Sequence, residues 1–144
     1  MKTRLLTTVL IISAAAALAH GGVKNPDVLK RMDSMKATGE AMKVLGNMAK
    51  GLAPFDAETA RAAATEVAEQ AALTPALFDT QATDPKSEAK AVIWQEFADF
   101  TAKAEALESV AVDVSTSLDS AEDLGPALAE LGSACKACHS VYRK

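Results

Sequence analysis

The pentapeptide Cys135-Lys136-Ala137-Cys138-His139 constrains this chain more than any other feature. Cys-x-x-Cys-His is the pattern of covalent haem attachment, and the chemistry explains the spacing. On a helix, residues three apart share a face, so the sulfurs of Cys135 and Cys138 reach the two vinyl groups of one porphyrin. His139 follows at once and turns its imidazole toward the iron as the proximal ligand. A chain with this motif must fold around a large, flat, apolar group. It has two cysteines and two histidines in all, and three of those four residues are in the motif.

Three other readings use the same residues. A thioredoxin-like dithiol sits between a strand and a helix in a βαβ unit, and no strand pattern precedes Cys135. A structural zinc site needs four ligands, and only His20 or a carboxylate remains to complete one. A plain disulfide leaves the adjacent histidine without a purpose.

The N-terminus points to export. Lys2 and Arg4 precede an apolar stretch from Leu5 to Ala17, and Ala17-Leu18-Ala19 forms a small-residue cleavage site. Residues 1–19 therefore read as a signal peptide, and residues 20–144 as one haem-binding domain. The apolar stretch is too short for a convincing membrane span, so no membrane insertion is expected after processing. Without Lys2 and Arg4 the 15 basic side chains fall to 13 against 19 acidic ones, a net charge of −6. That balance argues against nucleic acid as a partner. Lys136, Arg143 and Lys144 near the motif are available to steer a protein partner, although a solvated surface is the plainer role.

The remainder reads as helix, without the period-two alternation of strands. A first helix opens near Asn25, with Pro26 in its first turn, and runs to about Lys50, where Gly51 stops it. Val28, Met32, Met35, Met42, Leu45 and Ala49 form its apolar stripe. Asp56 caps a second helix expected to end near Leu73, before Thr74-Pro75. Residues 75–87 read as a loop. A third helix is expected from about Ser87 to Ser117, with Ile93, Trp94, Phe97, Ala104, Leu107, Ala111 and Val114 inward. A fourth begins between Ser120 and Asp123 and places Leu124, Leu128, Leu131, Cys135, Cys138 and Tyr142 on one broad face. Four amphipathic helices joined by short connections make an all-α, antiparallel four-helix bundle, with the haem near its C-terminal end.

A distal ligand has to come from upstream, because only Ser140 to Lys144 follow His139. After the signal segment the methionines are Met32, Met35, Met42 and Met48, all on the first helix. Met35 and Met42 point within about 20° of each other, Met32 lies about 60° from Met35, and Met48 lies well round the helix. Methionines at helical spacing usually fill cores. A thioether facing an open iron also coordinates it, and His/Met ligation is well precedented. Arg31 points about 40° from Met35. It is placed to pair with a haem propionate, to shape the distal pocket, or simply to face solvent.

Residues 31–51 (RMDSMKATGEAMKVLGNMAKG), Pro54-Phe55-Asp56, Ile93-Trp94 and the terminal CKACHSVYRK together resemble the class II c-type cytochromes, the cytochrome c-prime family. The likeness spans nearly all of the chain beyond the signal segment. It implies one covalent haem c in a periplasmic four-helix bundle, often a homodimer. The family has two branches. In five-coordinate members a bulky apolar residue of the first helix blocks the iron and leaves room only for nitric oxide or carbon monoxide. In low-spin members a methionine there binds the iron, and the protein carries electrons. Met35 aligns with this distal position. The resemblance thus implies His139 and Met35 as axial ligands, with Arg31, Met32, Gly39, Met42, Trp94, Phe97 and Tyr142 around the haem. The expected role is one-electron transfer between periplasmic redox partners, with diatomic gas binding as the alternative. A haem enzyme would require a distal acid–base residue, and the one other histidine, His20, lies at the processed N-terminus.

Overall fold

The computed structural model describes residues 22–144. Helix α1 (Pro26–Ala49) starts where expected: the Asn25 side chain accepts from the N–H groups of Asp27 and Val28, and Pro26 occupies a position whose N–H has no helical partner. It ends at Lys50, and Gly51 turns the chain with φ +68°. Asp56 caps α2 (Ala57–Leu77) by accepting from the N–H of Thr59 at 2.8 Å. A 3₁₀ turn (Ala121–Asp123) leads into the last helix, and the Asp123 carboxylate there accepts from the N–H groups of Asp119 and Ser120.

Two expected boundaries are corrected. Helix α2 runs through Pro75 to Leu77 instead of stopping near Leu73. Pro75 lies in the last turn, where its missing N–H costs the Ala71 carbonyl one helical bond, and the helix ends two residues later. The carbonyls beyond it are met by side chains instead: Leu77 by Arg31 Nε at 2.8 Å and Phe78 by Trp94 Nε1 at 2.8 Å. The expected third helix is also broken. Residues 88–90 lie outside any helix, with an isolated antiparallel bridge between Ala89 and Arg143. The single turn α3 (Val92–Gln95) follows, and the chain kinks at Glu96 before α4 (Phe97–Ser117). A backbone already paired with residues 142–144 cannot also close helical bonds.

The four long helices form the expected antiparallel bundle, completed by α5 (Leu124–Tyr142). Helix α2 packs most extensively on α4 and then on α1, α5 packs on α4, and α1 and α5 share the smallest of the four interfaces. One core, built on Leu45, Val67, Leu118, Leu124 and Leu131, fills the half of the bundle away from the motif. It is rich in alanine, which lets the helices approach closely. A second, aromatic core of Phe78, Ile93, Phe100 and Tyr142 fills the motif end. The face of α1 turned into the bundle also differs from the expected stripe. Arg31, Ser34, Thr38, Ala41 and Met48 are buried, whereas Ala49 is exposed and Met35 is 39% exposed. Met35 instead faces the space between the two cores. The signal-peptide reading falls on residues outside those described. Among the described residues no helix is long and apolar enough to cross a membrane.

Candidate functional site

Between the two cores lies a cavity of about 660 Å³, within the range typical of small-molecule and cofactor sites, about 300–1,000 Å³. Helix α5 contributes Cys135, Cys138, His139 and Tyr142 to its wall, and α1 contributes Val28, Arg31, Met32, Met35, Thr38, Gly39 and Met42. Ala71, Thr74 and Phe78 close it from α2, Ile93, Phe100, Ala104 and Leu107 from α3 and α4, and residues 86–89 run along its edge. The helical register explains the first group. Cys135, Cys138, His139 and Tyr142 follow one another at spacings of three, one and three, so one side of α5 presents both thiols and the imidazole. On α1, a Cβ built at Gly39 meets nothing within 4 Å, which leaves clear space one turn beyond Met35.

The thiols are not bonded to each other and are half-buried. Burial pushes both above the ordinary cysteine range. Burial, reinforced by the nearby Arg143 cation, holds the His139 imidazole below its usual value. The ring is therefore neutral near pH 7 and keeps a lone pair for a metal. The Tyr142 hydroxyl donates to Asp99 at 2.6 Å and to Glu96 at 3.3 Å, tying the last turn of α5 to the start of α4. Its ring meets Phe100 edge-on at 5.3 Å. An apolar slot with two thiols and a neutral imidazole on one wall suits a covalently held, iron-bearing macrocycle. Among the described residues no cluster of three or more histidine, cysteine or carboxylate ligands forms a metal site of its own.

Residues 27–143 match the family model for Cytochrome C′. The chain belongs to the cytochrome c′ family. It is 37% identical over 118 residues to a cytochrome c′ of Pararhodospirillum photometricum, covering 79% of this chain and 93% of that one. It is 38% identical over 118 residues to a cytochrome c-556 of Agrobacterium tumefaciens (strain B2A), covering 81% and 96%. The fold overlays the structural model of oxidized R. palustris cytochrome c556 with a TM-score of 0.76 at 28% identity, covering 84% and 98%. As a class II cytochrome this protein binds haem c covalently, and Cys135 and Cys138 are its only cysteines.

Nine of the eleven residues expected around the haem line the cavity; Trp94 and Phe97 do not. Trp94 spends its indole N–H on the Phe78 carbonyl and packs against that ring, and Phe97 stacks on Phe100 at 6.0 Å. Both support the wall from behind. Arg31 lines the cavity with only 4% exposure, so the solvent-facing role is excluded. Its guanidinium lies 4.4 Å from the centre of Phe78 and 5.4 Å from that of Trp94. It donates to the carbonyls of Leu77, Thr80 and Ala82, so three of its five N–H groups bind backbone. Phe100 was missing from the expected inward stripe. Its signal was present, since Phe100 completes the three-and-four spacing of 93, 97, 100, 104, 107, 111 and 114. Residues 86–89 carried no such signal.

Proposed function

We propose that this protein is a periplasmic one-electron carrier whose haem iron is held between His139 and Met35. The observation that carries the reading is that Met35 on α1 and His139 on α5 line one cavity together with both thiols. Haem supplies the reversible one-electron couple. The chain supplies ligands, burial and orientation. A neutral imidazole on one side and a soft thioether on the other favour the reduced state more than a histidine alone, and so raise the potential. Two ligands kept in both oxidation states leave little to reorganise on electron transfer. Residues 1–19 act as the export signal, cleavage after Ala19 leaves residues 20–144 as one haem domain, and the partners are other periplasmic redox proteins. We further propose a homodimer as the assembled form.

A second reading, a five-coordinate protein that binds nitric oxide or carbon monoxide, draws on the same cavity and on the relatives that bear the c′ name. Optical spectra of the oxidised and reduced protein at neutral pH decide between the two. Sharp, resolved α and β bands in the ferrous form support the carrier. A high-spin ferrous spectrum overturns it in favour of gas binding.

A further inference from the structure

The two helices that bear the proposed axial ligands share the smallest of the four helix interfaces, yet both are fastened to the same connecting segment. On the α1 side, Arg31 donates to Leu77, Thr80 and Ala82, with Nε–O and Nη1–O distances of 2.8 and 2.9 Å to the first and last. The Asp84 carboxylate accepts from the N–H groups of Lys24 at 3.0 Å and Asn25 at 3.3 Å, just before the first turn of α1. On the α5 side, the N–H of Lys90 donates to the Tyr142 carbonyl at 2.9 Å, and that of Lys144 to the Glu88 carbonyl at 2.8 Å. Arg143 pairs with the Glu88 carboxylate, and Lys90 Nζ donates to the Val141 carbonyl at 3.0 Å. Segment 77–90 is itself stiffened where it turns, since Asp84 also accepts from the N–H of Lys86.

We propose that residues 77–90 form a bracket that sets the distance between α1 and α5, and that Arg31 and Asp84 are positioning residues for the α1 side chain facing the haem iron. The inference deepens the carrier reading and rests on it for the identity of that side chain. Arg31 stands one turn before Met35 on the same helix face, so anchoring its guanidinium fixes both the height and the rotation of Met35. Asp84 lies outside the cavity wall and acts only through the start of α1. Because α1 and α5 touch each other little, each being seated mainly on another helix, opening the bracket changes the spacing between them, and a thioether ligand tolerates little displacement before it leaves the metal.

The test compares haem-bound wild type, Asp84→Ala and Asp84→Asn, all measured well below their melting temperatures. Two quantities are read: the spin state from the optical spectrum, and the rate of carbon monoxide association with the ferrous protein. Asp84→Ala loses the acceptor, and should shift part of the population to high spin and speed carbon monoxide association about tenfold, the equivalent of one lost charge-assisted hydrogen bond. Asp84→Asn keeps one oxygen for the Lys24 and Asn25 N–H groups but turns its amide NH2 toward the Lys86 N–H, so it should fall between wild type and Asp84→Ala in both readouts. Arg31→Lys, which keeps the charge but loses the three-carbonyl fork, should repeat the Asp84→Ala result and replaces it if that variant does not accumulate. A change in melting temperature alone, with spectrum and rate as in wild type, overturns the bracket. A wild type that is already high spin overturns Met35 ligation instead. The bracket is then judged on the rate alone, and an unchanged rate in Asp84→Ala overturns it.

Discussion

Met35 and Met42 both line the cavity from α1, yet truncation should separate them. The helical rise places them about 10 Å apart along the axis, more than one side chain spans. Met35→Ala should convert the optical spectrum to high spin, lower the reduction potential and admit carbon monoxide to the iron. Met42→Ala should leave ligation intact and cost stability near the lower end of the range of about 2–5 kcal/mol for such truncations, because the side chain is half-buried. Spectra and thermal melts of the two variants check both outcomes, and a Met35→Ala spectrum identical to wild type would refute the assignment. The site was legible in the sequence wherever spacing along one helix decided it, as for Cys135, Cys138, His139 and the three cavity methionines. Arg31 was only partly legible. Its acceptors lie 46 to 51 residues away, and no local pattern announces a carbonyl that a distant arginine will occupy.

Among the elements, helix starts were clear because Asn25, Asp56 and Ser120 are side chains with a capping chemistry of their own. The break before α4 was hidden, because the pairing of residues 88–90 with 142–144 uses backbone groups that every residue carries. The same carboxylates that close these elements set their response to acid. The Thr59 hydroxyl and then its N–H hold Asp56 below the usual carboxylate range, the Ser120 N–H does so for Asp123, and the N–H groups of Lys86 and Lys24 do so for Asp84. Each is easier to ionise folded than unfolded. Its contribution is therefore complete above the unfolded value, about 3.9, and is lost as pH falls through the lower folded value. The melting temperature of the haem-bound protein should hold steady down to about pH 4 and then drop. Asp56→Asn should blunt part of that drop, since an amide oxygen caps the helix without titrating. A melting temperature that ignores pH below this point would count against the assignment.

Over the whole molecule, charge is divided unevenly. Between Lys103 and Lys136 the chain carries seven acidic side chains and no basic one, whereas the cavity is lined by Arg31, Lys36, Lys86, Lys103 and Arg143 against Glu88. Even after the pairing of Lys36 with Glu40, Lys103 with Asp99 and Arg143 with Glu88, the cations there are in excess. A small anionic oxidant such as ferricyanide should therefore meet attraction at the cavity, although the chain after signal removal carries −6 overall. Its rate should fall as salt is added, and a rate that rises with salt would mean that net charge governs approach. The cavity also sets what happens without haem. Without haem the apolar walls of this half-open cavity face water or each other, and the burial forgone weighs against the roughly 5–15 kcal/mol that holds a small domain together. Haem-free chain should lack sharp, dispersed amide resonances and cooperative melting. That weakness has a use in assembly. Packed into the bundle, Cys135 and Cys138 are shielded and hard to deprotonate, and so poor nucleophiles toward a vinyl group. A chain unable to pack while empty keeps both thiols within reach, and the bond they form then removes the reason it could not pack. Maturation runs in one direction: loading closes the route by which the group entered.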